Sequence, residues 1–109
     1  MISFDDITKV FSFDLQGKYC IEILFSVKGY PKFQHCWMGK IPDKNETNEN
    51  SYWFGLFSDG SGSYDYDNFN DFSSASVFDG KSLKEIWEYV EIIEIDGCEP
   101  TERLQCILS

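Results

Sequence analysis

Alternation of apolar and polar positions predicts most of the strands in this chain. Gly17 opens a segment in which the odd-numbered residues 19–27 are apolar or aromatic, the two-residue period of a strand with one buried face. A turn at 29–31 leads into a returning strand, and Asp59-Gly60 is the signal of a further hairpin. The predicted strands cover residues 17–27, 33–41, 52–57, 64–67 and 91–96.

Apolar residues spaced three and four apart predict the helices. Ser3, followed by acids at 5 and 6, is typical of a helix start, and Pro100 suits the first position of another. Ser82 and Glu85 have the spacing of a capping box, in which each side chain satisfies a backbone N–H of the first turn. The predicted helices cover residues 4–12, 83–90 and a C-terminal segment from 100, with one helical turn over 68–74. The buried face of the second helix is predicted to be Leu83, Ile86, Trp87 and Val90.

This order of elements predicts the fold class. Hairpins in place of βαβ units indicate an α+β fold, with a mostly antiparallel sheet of about four to five strands packed with two or three short helices. The length of 109 residues suits a single domain, 1–109. Residues 42–51 are polar and lack periodicity, so they are predicted to form a mobile loop.

Aromatic residues are abundant, with ten Phe, six Tyr and three Trp. They are densest over 52–57, where rings occupy both faces of the predicted strand. Burial of both faces, as in a central strand, is the simpler interpretation. The alternative is a ring cluster presented to a partner, because Tyr and Trp are enriched at binding hot spots.

Acidic charge lies mainly in the second half of the chain. Residues 1–58 carry a net charge of −1 and residues 59–109 a net charge of −9. A field of one sign repels nucleic acid and anionic membrane, and it attracts basic partners. We therefore expect a protein partner, with no nucleic acid and no membrane.

The cysteines and the N-terminus indicate a reduced, cytoplasmic protein. Asp5 and Asp6 stand where a secretory signal needs basic residues, and no apolar run long enough for a signal or a membrane span follows. The four cysteines lack Cys-x-x-Cys spacing and the chain has one histidine, so no metal site and no cofactor are expected. All four cysteines are predicted to be buried, in a monomer or weak dimer.

No pattern indicates catalysis, and the prediction is that the protein is not an enzyme. His35 and Cys36 are adjacent, but neighbouring side chains on a strand point to opposite faces. The serines lack a Gly-x-Ser-x-Gly context. The acids from 59 to 71 match no EF-hand register, so turn chemistry explains them better than calcium.

Four segments carry a resemblance: CWMGK (36–40), YWFGLFSDG (52–60), VFDGKSLKEIW (77–87) and IDGCEPTERL (95–104). They resemble small acidic bacterial proteins that serve as immunity partners of polymorphic or contact-dependent toxins. The resemblance covers most of 36–104. It implies cytosolic binding to a cognate toxin domain, without a cofactor and without catalytic residues.

The expected function is thus neutralisation of a toxin domain, such as a basic nuclease, through an acidic surface. An acidic inhibitor that binds a basic active site associates faster, because the opposite charges attract, and it excludes the substrate. Two alternatives stay open: an acidic regulatory or scaffold module, and a small hydrolase with carboxylates in a cleft. The predicted partner-binding residues are Asp59, Asp65, Asp67, Glu85, Glu88, Tyr89, Glu94 and Asp96.

Overall fold

The computed structural model describes residues 2–12, 20–41 and 51–108. The described strands are β1 (Ile21–Val27), β2 (Cys36–Ile41), β3 (Ser51–Gly55), β4 (Ser63–Tyr66) and β5 (Val90–Ile95). The described helices are α1 (Phe4–Ser12), α2 (Phe69–Ser74), α3 (Leu83–Ile86) and α4 (Pro100–Leu108), with a 3-10 turn at Trp87–Tyr89. None of these helices is long and apolar enough to cross a membrane.

The five strands form one antiparallel sheet in the order β4-β3-β2-β1-β5, which confirms the predicted α+β fold. Successive hairpins build β1 to β4, and the chain then returns through α2 and α3 to place β5 beside β1. Strands β4 and β5 are therefore the two edges of the sheet. An Asp-Gly turn with left-handed dihedral angles ends β5, at Asp96 and Gly97.

The helices cover one face of the sheet, which we call the inner face. Its alternate strand positions are buried against apolar side chains of α1, α2 and α3. Aromatic contacts dominate this core: Phe72 of α2 stacks on Phe54 of β3 with ring centroids 4.2 Å apart, and Phe11 of α1 lies 5.3 Å from Phe72. The aromatic excess of the sequence thus supplies the layer between helices and sheet.

Several element boundaries differ from the predictions. Strand β2 begins at Cys36, because His35 has a left-handed φ of 54° that cannot belong to a strand; residues 33–35 lie in the connection. The predicted start of the first strand, 17–19, and most of the predicted loop, 42–50, lie outside the described residues. Residue 51, assigned to that loop, begins β3.

The predicted helix over 83–90 is wrong beyond Ile86. The chain tightens into the 3-10 turn, and Val90 is already paired with Val27 in the sheet. The backbone N–H of Lys28 donates to the carbonyl of Tyr89 at 2.8 Å, which directs the chain into β5. The α-helix is therefore only four residues long. The predicted buried face is nevertheless confirmed, since Leu83, Ile86, Trp87 and Val90 are all buried.

The capping box at the start of α3 is confirmed. The Ser82 hydroxyl accepts from the Glu85 N–H at 3.2 Å, and the Glu85 carboxylate accepts from the Ser82 N–H at 3.0 Å. This bond to the Ser82 N–H lowers the pKa of Glu85, since it favours the charged carboxylate. A helix of four residues depends strongly on such bonds, because it has little internal hydrogen bonding of its own.

Ser82→Ala should lower the free energy of unfolding by about 0.5–2 kcal/mol, the usual cost of losing an N-cap. Urea denaturation and amide exchange at the first turn of α3 would measure it. Ser76→Ala, at an exposed serine, is the control and should be neutral within about 0.5 kcal/mol. Unchanged exchange at Glu85 in the Ser82 variant would contradict the role of the cap.

Candidate protein-binding face

The side of the sheet opposite the described helices is the candidate site, and we call it the outer face. It consists of the strand positions whose side chains point away from the inner face. Its members are Glu22, Leu24, Ser26, Trp37, Gly39, Ile41, Ser51, Trp53, Gly55, Ser63, Asp65, Glu91, Ile93 and Glu94. No described helix contributes a buried side chain to this face.

Two tryptophans and two glycines form the centre of the outer face. Trp37 on β2 is opposite Gly55 on β3, and Trp53 on β3 is opposite Gly39 on β2. Each indole therefore faces a residue without a side chain. Trp53 uses that space, since a Cβ on Gly39 would lie 2.6 Å from its ring. Trp37 stays 39% exposed, so this centre offers a shallow aromatic surface.

Gly39→Ala should displace Trp53 and lower the free energy of unfolding by about 1–3 kcal/mol, the range for overpacking. The added Cβ would lie only 2.2 Å from the carbonyl oxygen of Ile21 as well as against the indole, so the backbone must shift. Gly55→Ala is the matched control: its Cβ would meet Trp37 and Trp53 at an ordinary 3.8 Å. Equal chemical denaturation midpoints for the two variants would contradict the packing of Trp53 on Gly39.

Carboxylates surround the aromatic centre. Asp65 is paired with Trp53, Glu22 with Gly39 and Glu94 with Leu24, while Glu91 is paired with Ser26. The outward positions of the described strands carry no lysine or arginine. Lys40 of β2 is a strand residue, but its side chain points inward and is buried. The outer face therefore presents one sign of charge around one exposed and one half-buried indole.

The predicted site residues do not form one cluster. Asp59, Asp65 and Asp67 lie on or beside β4, at one edge of the sheet, whereas Glu94 and Asp96 lie at the opposite edge. Four interstrand spacings of about 4.8 Å, or about 19 Å, separate the two edges. Asp65 and Glu94, two of the predicted site residues, nevertheless share the outer face. The outer-face residues between them were not among the predicted site residues.

The remaining predicted members lie around α3 and the 3-10 turn. Glu85 is held in the capping box, and Glu88 and Tyr89 are exposed in the turn that follows. The Tyr89 ring lies 6.3 Å from that of Tyr30. Charge reversal at Glu85 would remove a helix cap as well as a charge, so it is a poor probe of binding.

Asp96 has a structural role. Its carboxylate accepts from the Glu22 backbone N–H at 2.9 Å and from Arg103 Nε at 3.1 Å. These bonds tie the end of β5 to β1 and to α4. Regular alternation over 93–96 predicts that Ile93 and Ile95 share one face and Glu94 and Asp96 the other. A bulge between 92 and 94 breaks this alternation and leaves Ile93 exposed and Ile95 fully buried.

The aromatic strand β3 is buried on one face only. Tyr52 and Phe54 point into the core, whereas Trp53 is half-buried on the outer face, so the expectation of burial on both faces is wrong. The reason is topological: a sheet with helices on one side leaves every strand, including those away from the edges, with an outward face.

The cysteines also differ from expectation. Only Cys36 is buried, and Cys20, Cys98 and Cys106 are exposed. Burial raises the pKa of the Cys36 thiol to about 11, so it stays protonated at neutral pH. His35 is exposed, whereas the neighbouring thiol is buried.

Turn chemistry explains the acids after β3. Asp59 accepts from both the backbone N–H and the hydroxyl of Ser61, at 2.9 and 2.6 Å, and these two bonds lower its pKa. Within the described ranges, no group of three or more His, Cys, Asp or Glu side chains is placed to hold a metal ion.

Lys40 is a buried charge that the sequence analysis missed. Its side chain is 1% exposed, and Nζ donates to the carbonyl of Phe11 at 3.2 Å and lies 5.8 Å from the ring centre of Tyr52. A cation at the end of α1 is favourable because the helix dipole is negative there. The alternation of β2 puts Lys40 on the same face as Met38, two residues earlier, and this pattern could have predicted that Lys40 is buried.

Trp37, Glu22 and Glu91 are among the outer-face residues that the sequence did not point to as partner-binding residues. The alternation along β2 and β1 could have identified Trp37 and Glu22, since each is out of phase with the buried positions of its strand.

Comparison with protein-family models, with curated proteins and with solved structures finds no match to this chain.

Proposed function

We propose that this protein is a non-enzymatic binding protein of the immunity type, which neutralises a basic toxin domain by docking its outer face on it. The observation that carries the proposal is the combination of exposed Trp37 and half-buried Trp53 with four carboxylates on the side of the sheet that no described helix covers. The resemblance of four segments to bacterial immunity proteins supports the class of partner. Such a protein acts in the cytoplasm of the cell that it protects.

Arginine is the side chain that this surface suits best. Its guanidinium stacks on an indole and forms bidentate bonds with a carboxylate, so Trp53, with Asp65 directly opposite it on β4, offers both interactions. A basic domain that cuts nucleic acid carries such cations around its active site, because phosphate contacts dominate its affinity for substrate. Occupying those cations excludes the substrate, and opposite fields accelerate the encounter.

The experiment begins with capture of the partner from the native cell. The captured protein is then expressed in a host, where it should arrest growth, and the wild-type chain should restore growth. Trp37→Ala should weaken binding by about 30-fold, a hot-spot loss of about 2 kcal/mol, and should fail to protect. Combined reversal of Glu22, Asp65 and Glu94 to lysine should slow association, most strongly at low salt.

Asp5→Lys is the matched control, because Asp5 is an exposed acid on α1, on the helix side of the sheet. Its counterpart is the single variant Asp65→Lys, which changes the net charge equally: Asp65→Lys should slow association, and Asp5→Lys should leave the association rate unchanged. Association rates at low salt that are unaffected by the triple reversal would overturn the acidic-face mechanism. A captured partner that does not arrest growth would favour the regulatory or scaffold alternative.

A further inference from the structure

A groove runs along the free edge of β5, separate from the aromatic centre of the outer face. Its volume is about 400 Å³. The edge strand forms one wall, and the N-terminal segment, Lys28, the 3-10 turn and the start of α4 form the rest. Its lining includes Ile2, Lys28, Val90, Ile92, Glu99 and Pro100.

The register of β5 determines which backbone groups face this groove. The Lys28 N–H donates to Tyr89, and hydrogen-bonded and non-bonded pairs alternate along an antiparallel ladder. Glu91, paired with Ser26, is therefore bonded to β1, while Val90 and Ile92 direct their backbone groups to the free edge. At the far end of the strand, Ile95 uses its edge groups to bond Cys98.

Three backbone groups of β5 are thus presented to the groove: the Val90 carbonyl and both the N–H and carbonyl of Ile92. The Val90 N–H is already bonded to the carbonyl of Trp87. In the described part of the chain, no residue forms a hydrogen bond with those three groups. A donor and two acceptors in strand geometry form a template for one more strand.

We propose that the groove binds an extended segment of a protein partner, which pairs with β5 as a sixth strand. Cross-strand neighbours share a face, so a residue opposite Ile92 would meet Ile2 and Pro100 on the inner side. The residues on either side of it would point outward, beside Glu91. The groove is lined by three carboxylates (Glu88, Glu91 and Glu99) and one lysine, so its field is negative. Glu99 already accepts from the backbone N–H groups of Thr101 and Glu102, whereas Glu91 is on the outward side and favours a cation beside it.

The occupant is therefore a segment in which basic and apolar residues alternate. A second copy of this chain fits less well, because antiparallel pairing of β5 with itself about Ile92 would place the Glu91 side chains of the two copies diagonally across from each other on one face. The inference is separate from the proposed function, since it rests on backbone groups at an edge and not on the tryptophans.

The test uses a short blocked peptide of alternating lysine and valine, titrated into the isotopically labelled full chain. We expect saturable shifts at the amides of Val90 to Ile93. At a peptide concentration ten times Kd, hydrogen exchange of the Ile92 amide should slow about tenfold. A peptide of the same sequence with N-methylated valines cannot pair and should not bind. A glutamate–valine peptide should not bind either.

Ile92→Pro removes the N–H that faces the groove, at an edge position where proline does not break the ladder to β1. It should abolish peptide binding, whereas Ile92→Val should bind normally. Trp37→Ala should bind the peptide as the wild type does. Equal binding by the N-methylated peptide, shifts confined to the outer-face tryptophans, or an unperturbed spectrum at millimolar peptide would each overturn the proposal, whether or not the proline variant folds.

Discussion

Trp87→Ala is expected to lower the free energy of unfolding by about 3–5 kcal/mol, the range for a large aromatic residue removed from a core. Trp87 is 7% exposed, and its indole N–H donates to the carbonyl of Ile2 at 3.1 Å. The Phe4 ring meets it edge-on with centroids 5.5 Å apart. One side chain therefore joins the turn before β5 to the N-terminal segment and to α1. Urea denaturation followed by far-UV circular dichroism measures the change.

Trp87→Phe is the control, because it keeps an aromatic ring and removes the indole N–H. It should cost less than the alanine variant, since most of the contact with Phe4 remains. A loss below about 1 kcal/mol in the alanine variant would contradict a core position, because such values are typical of surface substitutions.

Phe72→Ala is the second large expected effect, again about 3–5 kcal/mol. Phe72 is fully buried and stacks on Phe54 at 4.2 Å, with further ring contacts to Phe11, Tyr52 and Phe69 at 5.3, 5.9 and 5.8 Å. It is also one of only two buried residues of the six-residue α2. Its loss should therefore detach the helix from the sheet as well as leave a cavity.

Two variants control for this interpretation. Phe72→Leu keeps most of the apolar volume and should cost less than about 1.5 kcal/mol. Tyr64→Ala removes a ring that is 41% exposed on β4 and should be neutral within about 0.5 kcal/mol. If alanine at 72 and alanine at 64 had equal effects, burial of the phenylalanine ring could not be the cause.

Local sequence signals were sufficient to predict the features that depend only on residues close together in the chain. The capping box needs only Ser82 and Glu85 in the same turn, and the hairpin after β3 needs only a turn that reverses the chain. The alternation along β1 likewise predicted its buried positions, because the period of a strand is a local property.

Where an element ends depended on partners distant in the chain. The helix after Ser82 ends at Ile86 since Val90 must pair with Val27, 63 positions earlier. The bulge at Ile93 similarly follows from the pairing of β5 with β1. Neither partner is visible in the local pattern.

The sequence by itself determined that this is an acidic α+β domain with an aromatic core and one well-capped helix start. Only the tertiary structure decided which acids share a surface, because the place of β5 beside β1 puts Glu94 and Asp65 on one face and leaves Asp59 and Asp96 at opposite edges. It also decided that Trp37 and Trp53 face outward, since all helices of the described segments lie on the other side of the sheet. Charge and periodicity are properties of the chain, whereas a surface is formed by residues that strand order brings together.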